Sequence, residues 1–466
     1  MLTVTNNSTT ITATAVMADL TGALADAGVT QNSSNCNSIA PGASCDLNFT
    51  SVNTPVTVAQ VPVTGTNTSI TVGSIGVNGP PEQTIAITAG SPLTLTTSNA
   101  NTGTMSISNT SGAEIKAGVT AHFESTALNG YVTSDTCPAI PAGGTCTLTF
   151  TAGTTVVNPT EFAIYGEETT SAVGIITIIT PYAYLTSPST NQIYQCVISA
   201  GNGSLISCTR QNLSTLNAPR GIVINPSRTF IYIANNGNNT VTQCALNEAT
   251  GTVSACQSAS ANGLNGPIGI RLNPAGTFAY VTNNNNNTVS LCAINASTGS
   301  FDTSCINSGA TDLDQPRDIV INSNNAYAYI ANFKNKMVQC VVNNSTGTLS
   351  ACSATTVSSG IEFNGLAINP NDALLYVSDF NVGNLFQCVI SGGSLESCTI
   401  GYTGPPKPLF RSAGVAINAA RTLLYVANTD GNTPYAQCIL RPNESISHCT
   451  NLTQSPKGTW GVALLD

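Results

Sequence analysis

Short runs in which Val, Ile, Leu or Tyr alternate with Thr, Ser or Asn fill the whole chain, and Gly, Asn and Pro interrupt them every few residues. Alternation of that kind has the two-residue period of a half-buried strand, with successive side chains on opposite faces. No long stretch places apolar residues at i, i+3, i+4 and i+7, so helices are not expected. The pattern predicts an all-β protein. Its 466 residues are too many for one ordinary core and suggest on the order of two to four domains.

From about residue 181 the alternation becomes periodic. The segments AYLT, IYIAN, AYVTN, AYIAN, LYVSD and LYVAN align on Tyr184, Tyr232, Tyr280, Tyr329, Tyr376 and Tyr425, spaced 48, 48, 49, 47 and 49 residues apart. Each unit reads as four strands: GIVIN-like, Tyr-containing, and two more that end near cysteines. A period near 45–50 residues in β-rich sequence is that of propeller blades. The first unit lacks its own first strand, and the chain ends on a spare one, TWGVALLD. If that strand completes the first unit, six blades close into a ring.

The tyrosine strands, and AYVTN at 279–283 after NPAGTF above all, resemble YVTN-type β-propeller repeats. Such repeats occur in secreted and surface proteins, and related folds occur in lactonase-like enzymes. The resemblance spans about 181–466 and implies a fold; its motif supplies strands and turns but no catalytic group.

Every repeat also carries two cysteines: Cys196/Cys208, Cys244/Cys256, Cys292/Cys305, Cys340/Cys352, Cys388/Cys398 and Cys438/Cys449. Pairing Cys244 with Cys256 puts Ala249-Thr250-Gly251 at the tip of a hairpin, with Gly where a left-handed residue is wanted. The fifth pair is two residues closer, and its turn is Ser391-Gly392-Gly393. Register and turn chemistry thus predict one disulfide per blade, its two cysteines facing each other on the outer strands. Each bridge should contribute roughly 2–3 kcal/mol in the chain-entropy model. Buried free thiols are the alternative. A zinc reading fails, because two thiolates per repeat and only His122 and His448 in the chain leave any such site half-made.

The first third contains two copies of one motif, SNCNSIAPGASCDLNFT and DTCPAIPAGGTCTLTFT. An offset of 101 residues relates Cys36/Cys45 to Cys137/Cys146, Phe49 to Phe150, Val72 to Val173 and Gly73 to Gly174. These copies resemble bacterial immunoglobulin-like domains, which implies spacing or adhesion. The expected domains are 1–79, an immunoglobulin-like sandwich lacking its first strand; 83–180, a complete one; and 181–466, a six-bladed propeller closed by the C-terminal strand. Eight disulfides follow, all between cysteines nearest in sequence.

Charged residues make up only 8% of the chain, against about 25% in an average soluble domain. Residues 1–180 hold Lys116 and ten acidic residues, so the whole net charge of −9 lies there. Nucleic acid is therefore a poor partner. No apolar run reaches the roughly 18–20 residues of a membrane span, and MLTVTNNS is strand-like rather than a signal peptide. Sixteen paired cysteines nonetheless point to a secreted, cell-surface or periplasmic protein, with a secretion signal upstream of the sequence or already removed.

Candidate chemistry is sparse. His122 lies two residues before Glu124, but a surface strand histidine explains it, and no nucleophile elbow or phosphate loop is present. The most informative polar set lies where the innermost strands begin: Arg220, Arg317, Asp318, Asn364 and Trp460 would ring one mouth of the axial channel. The competing explanation is an Arg317–Asp318 surface cluster with no ligand. No catalytic residue, metal or cofactor is assigned. These features predict a non-enzymatic structural or adhesive protein, a subunit of an extracellular assembly or filament that contacts a partner or its own copies through the open edge near residues 2–16. The alternative is a lactonase-like enzyme or small-ligand binder that uses the channel mouth.

Overall fold

The structure is a computed structural model. It describes all residues except 1, 21–28, 35, 51–58, 76–82, 98–101, 117, 124–127, 129, 167–168, 260–261, 296, 303, 358–360, 403–408, 410, 430–434, 453–455 and 457. Among the described residues there is no helix, and all regular structure is β. The chain divides into two compact units, Met1–Ile179 and Thr180–Asp466.

The first unit contains two pairs of sheets. In the first pair, β1 (Leu2–Thr5), β5 (Ser44–Thr50) and β3 (Thr30–Ser34) form one sheet in the order β1-β5-β3. The other joins β4 (Ser38–Ile39), β2 (Ala13–Ala18), β6 (Ala59–Thr66) and β7 (Thr71–Ile75). Val4, Val16, Leu47 and Val63 share a core between them. The second pair adds β8 (Ile85–Ala89) and β9 (Leu93–Thr96) ahead of β10 (Thr102–Asn109), β11 (Thr120–His122), β12 (Val132–Ser134), β13 (Thr145–Ala152), β14 (Val157–Tyr165) and β15 (Ala172–Ile179). Its sheets run β12-β13-β10-β8 and β11-β14-β15-β9, and Met105, Phe150, Phe162 and Ile176 lie in the core between them.

The second unit is a propeller-type array of six four-stranded sheets among the described residues. The chain's last strand, Val462–Leu465, pairs antiparallel with Tyr182–Ser187 and is the fourth strand of the first sheet. The repeated tyrosine explains the repeat. Its ring is buried in every sheet, and a buried hydroxyl needs a partner. Each hydroxyl donates to a main-chain carbonyl in the hairpin of the next sheet: Tyr184 to Gly251, Tyr232 to Gly299, Tyr280 to Gly347, Tyr329 to Gly393 and Tyr376 to Glu444. The sixth, Tyr425, donates to Gly203 of the first sheet, and the series returns to its start at 2.5–2.8 Å throughout. Burial pushes Tyr232, Tyr280 and Tyr329 up to about 12.

That joint also explains the hairpin glycines. Gly251 has φ +66°, and a Cβ there would lie 2.5 Å from the Tyr182 ring of the preceding sheet; only glycine meets both demands. The Asn of each turn into a Tyr strand is local glue: the Oδ1 of Asn225, Asn273, Asn322, Asn369 and Asn418 accepts two main-chain N–H groups four and five residues on.

All eight disulfides join nearest cysteines. Cys36–Cys45 and Cys137–Cys146 lie in the first unit. The second unit has one in each sheet: Cys196–Cys208, Cys244–Cys256, Cys292–Cys305, Cys340–Cys352, Cys388–Cys398 and Cys438–Cys449. In every sheet the first cysteine is buried on the third strand, so the link ties the solvent-facing margin of the sheet to its core.

The cysteines of each pair face each other, as expected, and Cys388/Cys398 and Cys438/Cys449 stand directly opposite in register. Cys208, Cys256 and Cys352 share the place opposite their partners with the residue before them. In the first sheet Val197 faces Ile206 while Gln195 faces Thr209, so Cys196 meets two residues, Ser207 and Cys208. A separation of 12 leaves one residue too many for the register that the turn sets. A bulge absorbs it, with Ser207, Ala255 and Ala351 at positive φ. In the third sheet Leu291 faces Ile306, a register that carries Cys292 onto Cys305. Cys305 is buried and lies just ahead of the two-residue strand Ile306–Asn307, not within an outer strand. Its hairpin is the longest, at a separation of 13, and carries a separate Ile294–Phe301 bridge near its turn.

Candidate functional site at the channel mouth

The innermost strands are Pro219–Ile224, Pro267–Leu272, Pro316–Ile321, Phe363–Ile368, Ser412–Ile417 and the C-terminal Val462–Leu465. Near the start of each stands Gly221, Gly269, Asp318, Gly365, Gly414 or Gly461. A Cβ would lie 2.4 Å from Ile268 O at Gly221, 2.0 Å from Ala413 O at Gly365 and 2.3 Å from Arg220 O at Gly461. Neighbouring strands approach too closely there for any side chain on the contact side, which is what the repeated glycine is for.

Three hydroxyls fix this waist. Gly461 N–H donates to Thr186 Oγ1, which donates to Arg220 O; Gly269 N–H donates to Thr282 Oγ1, which donates to Arg317 O; and Gly365 N–H donates to Ser378 Oγ, which donates to Ala413 O. Each relay crosses from one sheet to the next, and two of them hold the backbone of the mouth's arginines. The sequence carries a signal for this that the repeat alignment did not use. The third residue of the Tyr motif alternates Thr186, Ala234, Thr282, Ala331, Ser378, Ala427, a hydroxyl at every second joint.

Asp318 departs from the glycine rule and closes the channel. Its Oδ2 accepts from Arg271 Nη2 at 2.9 Å and from Leu366 N–H at 3.0 Å, and its Oδ1 accepts from Ile319 N–H at 2.9 Å. Burial pushes its carboxyl up, against the pull of Arg271 and the two N–H groups. The expected Arg317–Asp318 surface cluster is therefore corrected: Asp318 is buried and its partner is Arg271 of the adjacent sheet, a residue the alignment passed over. The space left at this waist is about 20 Å³, enough for roughly one water. Beyond it the opposite mouth opens to about 270 Å³ lined by Val223, Leu272, Val320, Ile368 and Leu464.

The near mouth has different chemistry. The Arg220 guanidinium lies 3.8 Å above the Trp460 ring, and that of Arg317 lies 4.1 Å above Phe333. Phe380 bridges the two aromatics, with centroids 6.0 Å from Trp460 and 6.4 Å from Phe333, and Arg411 stands 6.0 Å over Phe380. Burial pushes Arg220 and Arg317 down to about 10, and Arg317 is lowered further by Arg220 while Glu362 opposes the shift. Both remain cationic at neutral pH. Neither has an ion pair among the described residues, and the Nε of each is buried without a hydrogen-bond partner. Stacked guanidiniums with free donors around one mouth are suited to a carboxylate or phosphate.

Of the residues the sequence singled out, Arg220, Arg317 and Trp460 meet at this mouth. Asp318 lies beneath it in the plug, and Asn364 is buried with its Nδ2 3.5 Å from Ser412 O, a packing role. Phe333, Phe380 and Arg411 were missed. The first two directly follow Tyr strands, where other repeats place Asn236, Asn284 or Thr429. Away from the ring, His122 stacks on Tyr165 at 3.5 Å and is pushed down by burial, whereas Glu124 lies outside the described residues. Among the described residues no cluster of three His, Cys, Asp or Glu side chains could hold a metal ion, and no helix is long and apolar enough to cross a membrane.

A family model described as lactonase, 7-bladed β-propeller, matches residues 179–363. The described residues of the second unit hold six four-stranded sheets. No curated protein matches the chain. Among solved structures, the periplasmic gluconolactonase of Pseudomonas aeruginosa is 11% identical, covers 61% of this chain and 99% of its own, and has a TM-score of 0.46. A chain of a nidogen/laminin complex is 12% identical over 61% of this chain and 98% of that one, with a TM-score of 0.46. Hydrazine synthase of Kuenenia stuttgartiensis is 11% identical over 60% and 88%, with a TM-score of 0.42. Likeness at this level carries no activity across.

Proposed function

We propose that residues 181–466 are a complete six-bladed propeller that binds a small anion, bearing a carboxylate or phosphate, at the Arg220–Arg317 mouth. The observation that carries this reading is the pair of half-buried, unpaired guanidiniums stacked on Trp460 and Phe333. Two such cations cost folding energy when empty, and a ligand that brings the counter-charge removes the cost. The lactonase-type match over 179–363 includes both arginines and supports a small-molecule role. Eight disulfides support an oxidising, extracytoplasmic setting. In the same reading, 1–79 and 83–180 are immunoglobulin-like modules that display the propeller.

Calorimetric titration with gluconate, 6-phosphogluconate and inorganic phosphate tests this, with their lactones assayed for turnover. Binding is expected for at least one anion, and Arg317→Ala is expected to weaken it about tenfold or more with the melting temperature of the free protein held or raised. An Arg317→Ala protein that binds as the parent does refutes the site. Absence of any anion binding returns the protein to the second reading, a structural or adhesive subunit, which low charge and dense disulfides support.

A further inference from the structure

The two mouths of the ring differ in chemistry, and the Arg271–Asp318 plug lies between them. The far mouth is a well of about 270 Å³, and among the described residues Arg271 is the only polar side chain in its lining. All six innermost strands contribute to it. Two residues beyond the repeated Gly or Asp they carry Val223, Arg271, Val320, Ala367, Ala416 and Ala463. Larger side chains thus stand on three consecutive sheets and alanines on the next three, which leaves room on one side of the axis. One position further along, Ile224, Leu272, Ile368 and Leu464 are only partly buried, so aliphatic surface faces the well.

The floor of this well asks for no charged ligand. Arg271 Nη2 donates to Asp318 Oδ2 at 2.9 Å and to Leu366 O at 3.2 Å, and its Nη1 donates to Ile270 O at 3.0 Å. The waist beneath leaves about 20 Å³, so nothing larger than a water passes on toward the arginine mouth. The turns that leave the innermost strands are polar instead. Ser227, Ser323, Asn324 and Asn371 are exposed there, and Arg228 and Arg421 are already paired with Glu248 and Glu444.

We propose that this well takes the hydrocarbon tail of a single-chain, uncharged amphiphile, with the end of the tail against the plug and the polar head among those turns. A concave site with aliphatic walls and few polar groups is the usual form of a small-molecule pocket. Floor, walls and volume together select the tail. The bonded Arg271 does not draw a head group inward, so the apolar end enters first. A polypeptide segment would bring N–H and C=O groups of its own, for which the lining side chains offer only that arginine. At roughly 30 Å³ for each water-sized group, the 270 Å³ well holds about nine methylenes.

The test uses the full chain and a series of n-alkyl maltosides, from hexyl to tetradecyl, each below its micelle concentration. Being uncharged, they do not report on the Arg220–Arg317 mouth. Calorimetric affinity is expected to rise about fourfold per added CH₂, up to a tail of about nine carbons, and then to level off. Ala416→Leu fills the roomy side and should bring the plateau forward by about three carbons, the volume that it adds. Ile368→Ala, at the partly exposed wall, should move the plateau the other way, and it decides alone if the leucine variant does not fold. Affinity that climbs to tetradecyl without levelling, or a plateau that the folded variants leave in place, overturns the proposal in favour of unspecific adsorption. No binding at any tail length overturns it outright.

Discussion

The first propeller sheet and the first sandwich both begin one strand short relative to their repeats, yet among the described residues only one gap is filled. At Tyr182–Ser187 the vacant side is taken by Val462–Leu465, from the far end of the chain, in four-residue antiparallel register. At β1 and β7 the sides that β8 and β9 cover in the sister sandwich lie open over a groove. The sequence signature of the two gaps is the same, a repeat that starts late. A ring brings its first and last units together, so its gap can be closed from within.

Four changes would break or sharpen this contrast, beginning with the largest. Deleting 458–466 removes the strand that fills the ring's gap, and should lower the ring's thermal midpoint by about 10 °C or more while the first unit melts as before. An unaltered midpoint would mean the ring does not depend on its seam. Next, Gly461→Val drives a side chain against Arg220 O and Thr186 Oγ1, which lie 2.3 Å and 3.0 Å from an ideal Cβ. Overpacking there should cost about 1–3 kcal/mol in chemical denaturation.

Third, Tyr425→Phe removes the hydroxyl bonded to Gly203 O across the seam, and Tyr232→Phe removes the matching bond to Gly299 O inside the ring. Each leaves a buried carbonyl unsatisfied, at about 1–3 kcal/mol. Equal losses would show that the seam is an ordinary joint; a much larger loss for Tyr425→Phe would show it is the weak one. The smallest effect belongs to Asp379, which stands where other sheets carry Asn235, Asn283, Asn332 and Asn428. Burial pushes its carboxyl up against three main-chain N–H donors. A raised folded value means that its contribution is present in acid and lost as pH rises from the ordinary carboxylate range through that value. Asp379→Asn should therefore stabilise at pH 7 relative to the parent and converge with it near pH 4; a constant difference at both pH values would exclude titration as the cause.

The all-β class, the repeat, its outlying glycines and every disulfide pairing were legible, because strand period, turn chemistry and cysteine spacing are local properties. The bulges beside Cys208, Cys256 and Cys352 were not, since spacing counts residues and does not show where an extra one is absorbed. Arg220, Arg317 and Trp460 were legible as one rim because they share a place in the repeat. What else escaped were partners set by the neighbouring sheet. Asp318 was matched to the adjacent Arg317, yet side chains of consecutive strand residues point to opposite faces. Its partner Arg271 lies 47 residues away. Phe380 escaped for the same reason, since it meets Trp460 from another sheet, whereas Phe333 meets Arg317 within its own sheet, at a place where other repeats carry Asn or Thr.

The sequence by itself determined the strands, the turns that demand glycine or asparagine, the cross-links and the late start of each first repeat. These follow from the conformational limits of single residues and from spacings within one hairpin. Only the tertiary structure decided that the channel is plugged by Arg271–Asp318, that two arginines stack on aromatic rings at its mouth with no ion pair among the described residues, and that the chain's last strand completes the first propeller sheet. Each of those depends on distances between sheets, and distances between sheets are fixed by packing around the ring and across the sandwich rather than by any one stretch of chain.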